Sequence, residues 1–430
     1  MKRVVITGYG AISSAGNGVG ALWEALTLGR SGVAPIASFP VGDFRPSYAA
    51  EAHDFVPEAL GLASRRLKLM GRHAQLALAA TREANDAARL IGTEHAPPPE
   101  RIGIVLGTGM LGADVDELGR AFAATARARS DGEFDLATFG RHGVAQLFPL
   151  WLLRHIPNMT SAHASIALDL RGPTNTIMNG CTSALNALGE ARRLIARGAA
   201  AALFAGGTDA RISPLALLRY RDLGWLATRD DLPPTAVSAP FDGQATGFVC
   251  GEGAAVLVLE ELDAARERGA RARAEIIAYG AANEAGDPLQ PPEQAEALVR
   301  AIASCLQQSA LAPEEIDVVF APANSLPSLD RAVACALERL FGRRRVRVTA
   351  TRSTIGHAHA ASSAFDLIAA VRALETGTIP PAINLRRPIA DFDFVADAAR
   401  QLRIEHALVA AYGFGGHAAA MILRRIEVGQ

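Results

Sequence analysis

The segment NGCTSALNALGEARRLI, Asn179 to Ile195, is a polar, glycine-bearing turn running into a helix of small residues. Ala184, Leu185, Leu188 and Ala191 fall at helical spacing. A second segment, STIGHAHAASSAFDLIAAVRAL (Ser353 to Leu374), has the same design. Outward from this pair, further matches appear in the same order. RIGIVLGTG (101–109) is answered by IDVVFAPAN (316–324), AALFAGGTDA (201–210) by HALVAAYGFGG (406–416), and GAAVLVLEEL (253–262) by HAAAMILRRI (417–426). Such a series reads as an internal duplication. Short β-rich runs alternating with longer helical runs argue for an α/β fold with largely parallel sheets. The expected halves are 1–271, carrying the cysteine turn, and 272–430, carrying the histidine turn and GFGG. Packed together, they bring corresponding turns into convergence, and Cys181 near His357. The charged stretches before RIGIVLGTG and from Ala113 to Pro157 are expected to form a helical cap over one face.

Composition narrows the class. The chain has 430 residues, half of them apolar and a fifth charged, with a formal net charge of -1. That suits a globular protein with a large core, and it lacks the basic excess of a nucleic-acid binder. The basic run GRRRVRV (342–348) reads as a solvated strand edge. The N-terminus, MKRVVITGYG, enters a strand directly and has no apolar signal segment. No stretch approaches the ~18 uninterrupted apolar residues of a membrane span. Four cysteines without CxxC or metal spacing fit a reduced, cytoplasmic setting.

Cys181, between a glycine and two hydroxyl residues at a helix start, sits where the helix dipole and free N–H groups lower a thiol pKa. The same turn can direct an amide at a developing oxyanion. Cys250, Cys305 and Cys335 have no such context and read as structural. His357 heads the matching helix and can serve acyl chemistry beside a cysteine. His359, two residues on, is expected to face elsewhere. The GFGG turn, Gly413 to Gly416, permits close backbone approach. In RRLKLMGRHAQ (65–75), Arg65, Arg66, Lys68, Arg72 and His73 form a basic helix face, either solvated or docking an acidic partner.

With these residues in place, the chain resembles the β-ketoacyl-[acyl carrier protein] synthases of the type II fatty-acid and polyketide kind. The resemblance runs nearly end to end, through VVITGYGAISSAG, IPNMTSAHASIALDLRGP, CTSALNALGEA, AGGTDA, PFDGQATGFVCGEGAAVLVLEEL, STIGH, PPAINL and GFGG. It implies a thiolase-like fold, two βαβαβαββ halves in an αβαβα sandwich, normally dimeric. It also implies substrates presented on the phosphopantetheine of an acyl carrier protein, with no bound cofactor and no metal. Cys181 then matches the nucleophile, His357 the motif histidine, Phe414 an oxyanion amide, Arg352 the lysine position and Asp366 a helix glutamate. Met110 matches a gate of the acyl pocket, which Gly415 and Gly416 adjoin. Arg65, Arg66, Lys68 and Arg72 become carrier-docking candidates.

The family's second histidine should end the strand IDVVF. Aligned on Ala321, Pro327 and Asp330, the chain has Pro322 there. Proline neither donates a hydrogen bond nor exchanges a proton. Two readings follow. One is a chain-length-factor-like partner of a complete ketosynthase, in a heterodimer. The other is an acyltransferase or non-standard condensing enzyme that forms a thioester on Cys181; the resemblance leaves homodimer or heterodimer open. Asn324 and His417 are the candidates to fill the gap.

Overall fold

The computed structural model describes residues 2–109, 115–128, 133–290, 293–344 and 346–427. The first run of elements is β1 (Val4–Ser13), α1 (Arg72–Ala88), β2 (Ile102–Thr108), α2 (Met159–Leu168), β3 (Thr174–Ile177), α3 (Ser183–Ala196), β4 (Ala202–Ala210) and β5 (Glu252–Glu261). The second repeats it with β6 (Ala274–Asn283), α4 (Glu296–Ser309), β7 (Val318–Phe320), α5 (Pro327–Phe341), β8 (Arg347–Thr349), α6 (Ser362–Thr376), β9 (His406–Gly413) and β10 (His417–Arg425). Both read βαβαβαββ.

The strands run in the order β3-β2-β4-β5-β1-β6-β10-β9-β7-β8, so the second half mirrors the first. The halves meet where Val5 pairs with Glu275 and Ile6 with Ala274. Each half is more mixed than the expected parallel sheet. β2 is parallel to β3 and β4, but β5 lies antiparallel to β4 and to β1. β10 repeats this between β9 and β6. The sequence hid the reversal because β1 and nearly all of β5 are buried on both faces. Such strands read as continuous apolar runs whichever direction they take.

Five layers result. On α3, Leu185 and Leu188 pack with Leu367 and Ile368 of α6 in the central layer. On one outer face, Leu76 and Ala80 of α1 cover Ile104, Phe204 and Val256. On the other, Leu298 and Ile302 of α4 and Val333 of α5 cover Val319, Leu408 and Ile422. The cap expectation therefore needs one correction. α1 lies within the first charged stretch and is a core helix, because its apolar face is continuous from Ala74 to Ala88. The later stretch does form short helices, including Val115–Arg127, and clusters the rings of Phe122, Phe134 and Phe139 at 5.6–5.7 Å. Among the described residues no helix is long and apolar enough to cross a membrane.

Candidate active site

Cys181 lies in a single 3-10 turn, Gly180–Thr182, that leads into α3. The turn is held by its own polar side chains. Ser183 Oγ donates to Gly180 O at 2.7 Å and accepts from Asn179 N at 2.8 Å, and Thr182 Oγ1 donates to Asn179 O. The cysteine is 8 % exposed. Burial pushes its thiol above the ordinary range, and Arg211 and Arg352 pull the other way. The expected lowering by the helix start is therefore outweighed, since desolvation disfavours the thiolate.

The central layer brings the two turns together. His357 Nε2 stands 3.5 Å from Cys181 Sγ, with Ser362 Oγ 3.4 Å from Nδ1 on the other side of the ring. The histidine backbone is clamped on both sides, its N–H donating to Val249 O and its carbonyl accepting from Gly251 N. Burial, then Arg352 and Arg211, hold His357 well below the ordinary imidazole pKa. The resting pair is thus a neutral thiol against a neutral imidazole.

Three residues on the sequence shortlist close in around this pair. Arg352 and Asp366 form an ion pair at 2.9 Å, with both side chains at most 1 % exposed. Arg352 Nη1 also donates to Ala321 O, which ties it to the residue before Pro322. Thr351 Oγ1 donates to the second oxygen of Asp366 at 2.6 Å. From the opposite side β9 ends at Gly413, where an added Cβ would stand 3.0 Å from Cys181 Cβ and 3.3 Å from its Sγ. A methyl there would press directly on the cysteine. The turn continues through Phe414, with Gly415 and Gly416 at φ 79 and 73. The Phe414 ring is stacked on Trp225, centroids 3.7 Å apart and planes within 9°. Nothing in the sequence singled out Trp225, because contact across 189 positions carries no local signal.

Pro322 is buried in the loop after β7. Asp330, at the start of α5, organises that loop by accepting from the backbone N–H of Asn324, Ser325 and Phe241. Burial raises its carboxyl to about 6. Asn324 Oδ1 accepts from Leu326 N, and its Nδ2 is buried without a partner. His417 begins β10, opposite Gly413. Neither Asn324 nor His417 has a hydrogen bond to Cys181 or His357 among the described residues.

His359 departs from expectation. Its ring centroid lies 4.5 Å from that of His357, and it stacks on Tyr220 at 5.2 Å. Its Nε2 is 3.6 Å from Cys250 Sγ. The helical spacing that pointed it elsewhere fails because α6 begins only at Ser362 and His359 sits at φ 44. Cys250, Cys305 and Cys335 are all free; burial pushes the Cys250 thiol above its ordinary range and that of Cys305 up to about 12.

The basic segment is also not one helix. A short helix, Ser64–Leu67, ends before Gly71, and α1 starts at Arg72. Arg65 and Lys68 are exposed and Arg66 is half-buried. Arg72 is committed to Glu252 at 2.6 Å, and His73 is buried at 6 % exposure. Met110 lies outside the described residues.

Two family profiles account for most of the chain. "Beta-ketoacyl synthase, N-terminal domain" matches residues 1–265 and "Beta-ketoacyl synthase, C-terminal domain" matches residues 273–386. The chain belongs to the β-ketoacyl synthase family. This family member is 35% identical over 430 residues to the 3-oxoacyl-[acyl-carrier-protein] synthase 2 of Coxiella burnetii, covering 99% of both chains. It is 34% identical to the tetracenomycin polyketide synthase ketoacyl synthase alpha subunit of Streptomyces glaucescens, covering 99% of this chain and 97% of that one. Among solved structures, the ishigamide ketosynthase/chain length factor superposes with TM-score 0.86 at 30% identity, covering 99% and 100% of the two chains. The synthase therefore has the thiolase-like ketosynthase fold, as the resemblance implied.

Proposed function

We propose that the protein transfers acyl groups from an acyl carrier protein to Cys181 and leaves decarboxylation to a second, complete synthase. The observation that carries this reading is the Cys181–His357 contact at 3.5 Å beside a loop whose third catalytic position is Pro322. His357 Nε2, neutral and facing the sulfur, accepts the thiol proton as sulfur attacks the carbonyl of a phosphopantetheine thioester. The new S–C bond forms, the carrier thiol leaves, and the proton returns to it. The backbone N–H groups of Cys181 and Phe414 hold the oxyanion. Arg352, fixed by Asp366, lends positive potential to the pair. The turn at Gly415 and Gly416 borders the acyl path.

The carrier protein docks on Arg65, Arg66 and Lys68, with Arg72 held aside by Glu252. The setting is cytoplasmic. The chain pairs with another synthase copy, alike or unlike, along the outer edge of β3, whose second side has no strand partner among the described residues. Exposed Ile166 and Met178 beside that edge favour pairing there.

A chain-length-factor-like role without acylation is the second reading, favoured by Pro322 and by the similarity to the ishigamide ketosynthase/chain length factor. Intact-mass measurement after incubation with an acyl-loaded carrier protein separates the two. The expected result is one acyl adduct, lost in Cys181→Ala by a factor of about 10³ or more in rate and kept in Cys250→Ala. No adduct on the wild type, with or without a complete partner synthase, overturns acyl transfer.

A further inference from the structure

A cavity of about 470 Å³ lies behind the Tyr220–His359–His357 ring cluster, with Tyr220 and Arg211 in the shared wall. Its volume falls in the range of small-molecule sites. Its lining is divided in character. Phe39, Met70, Val115 and Leu215 give it an apolar side. Arg72, Arg154, Arg211 and Arg219 give it a cationic one.

The charges do not cancel. Arg72 is answered by Glu252, and Arg211 by Asp209 at 2.9 Å. Arg154 donates its Nε to Lys68 O and lies over the Phe148 ring, and neither it nor Arg219 pairs with a carboxylate among the described residues. Among the described residues, even with Asp116 on the wall, four guanidinium groups face three carboxylates. The helix Pro214–Asp222 also opens its N-terminus here, adding its positive end. His73 lines the same space, 6 % exposed, with its Nε2 unpartnered. An apolar trough ending in unanswered arginines suits a molecule with a hydrocarbon body and an anionic end.

We propose that this cavity binds the distal end of an acyl chain that terminates in a carboxylate, with the methylenes on the apolar side and the end group at Arg154 and Arg219. As a statement about substrate it rests on the acyl-cysteine reading. Binding can be measured without it, on the full-length protein, by calorimetry with a saturated α,ω-dicarboxylic acid and the monocarboxylic acid of equal length. The diacid binds about tenfold more tightly. The preference falls to near parity in the Arg154→Gln/Arg219→Gln double variant and persists in Cys181→Ala. Leu215→Trp, which fills the apolar side, weakens both acids. Equal binding of the two acids to wild type, or an unchanged preference in the double variant, overturns the proposal. So does loss of the preference on adding phosphopantetheine, which would assign the arginines to the carrier's phosphate. Failure of Cys181 to load from a carrier with the diacid preference intact sinks the acyl-cysteine reading and leaves the anion site standing.

Discussion

The turn before α3 and the turn before α6 are the same device built twice, and they perform different work. Both follow a short parallel strand, both hold glycine just before the functional residue, and both lead into a small-residue helix of the central layer. The first ends in Cys181, 8 % exposed and reachable, while the second ends in His357, 2 % exposed and clamped by backbone on both sides. Duplication of the backbone supplies two converging positions. Side-chain identity then makes one position a thiol and the other an imidazole, the nucleophile and base of the proposed acyl transfer. The loop after β7 is held by Asp330, which accepts from three backbone N–H groups, and it presents Pro322, a side chain that can neither donate a hydrogen bond nor exchange a proton.

The comparison can be broken most severely at the buried pair that supports the second turn. Asp366→Ala leaves Arg352 charged and unpaired at 1 % exposure, and should cost about 3–5 kcal/mol of unfolding free energy in a denaturant titration. A double replacement, Arg352→Met with Asp366→Leu, should recover most of that loss. If the single variant is as stable as wild type, the pair does not organise the second turn.

Acid sensitivity tests which buried groups each half has committed. His73 is lowered from 6.5 to about 4 by burial, and burial also holds His357 and His359 well below the ordinary imidazole range. A base depressed in the folded state is protonated first in the unfolded chain, so stability is complete above pH 6.5 and is lost as pH falls. His73 alone accounts for about 3 kcal/mol across its window. Asp330, raised to about 6, has the opposite slope and favours folding as pH falls from there toward 3.8. His163 adds to the histidines' acid loss, while Glu83, Asp209 and Asp366, also raised by burial, add to the opposing slope of Asp330, so the loss due to His73 is read against a variant that lacks it. Thermal unfolding between pH 7 and 4 should show a smaller acid loss in His73→Gln than in wild type.

Function at the second-half loop is sharpened by Pro322→His. Restoring a donor should raise carbon dioxide release from a malonyl carrier thioester by about 10²-fold over wild type. Asn324→Ala should leave acyl loading within about twofold, because Asn324 serves its own loop. A strong loss in that variant would make the asparagine the substitute for the missing histidine. Gly413→Ala, whose methyl presses on Cys181, should act more strongly than Asn324→Ala. It should cost about 1–3 kcal/mol of stability and slow loading.

Much of this was legible beforehand. The order of the matching segments revealed the duplication, because each repeat carries its own glycine turn and apolar run. Cys181, His357, Arg352, Asp366 and the GFGG turn were all readable, each marked by a local motif. The antiparallel run of β1, β5 and β10, the place of His359 and the Trp225–Phe414 stack were not.

The sequence by itself determined the two-half architecture, the cysteine and histidine in matching turns, and the absence of a histidine at position 322, since these reside in residue identity and local spacing. Only the tertiary structure decided that the thiol is held neutral, that Arg72 is spent on Glu252 180 positions away, and that four arginines share one cavity. Burial and charge pairing depend on which distant segments meet, and no local pattern records that meeting.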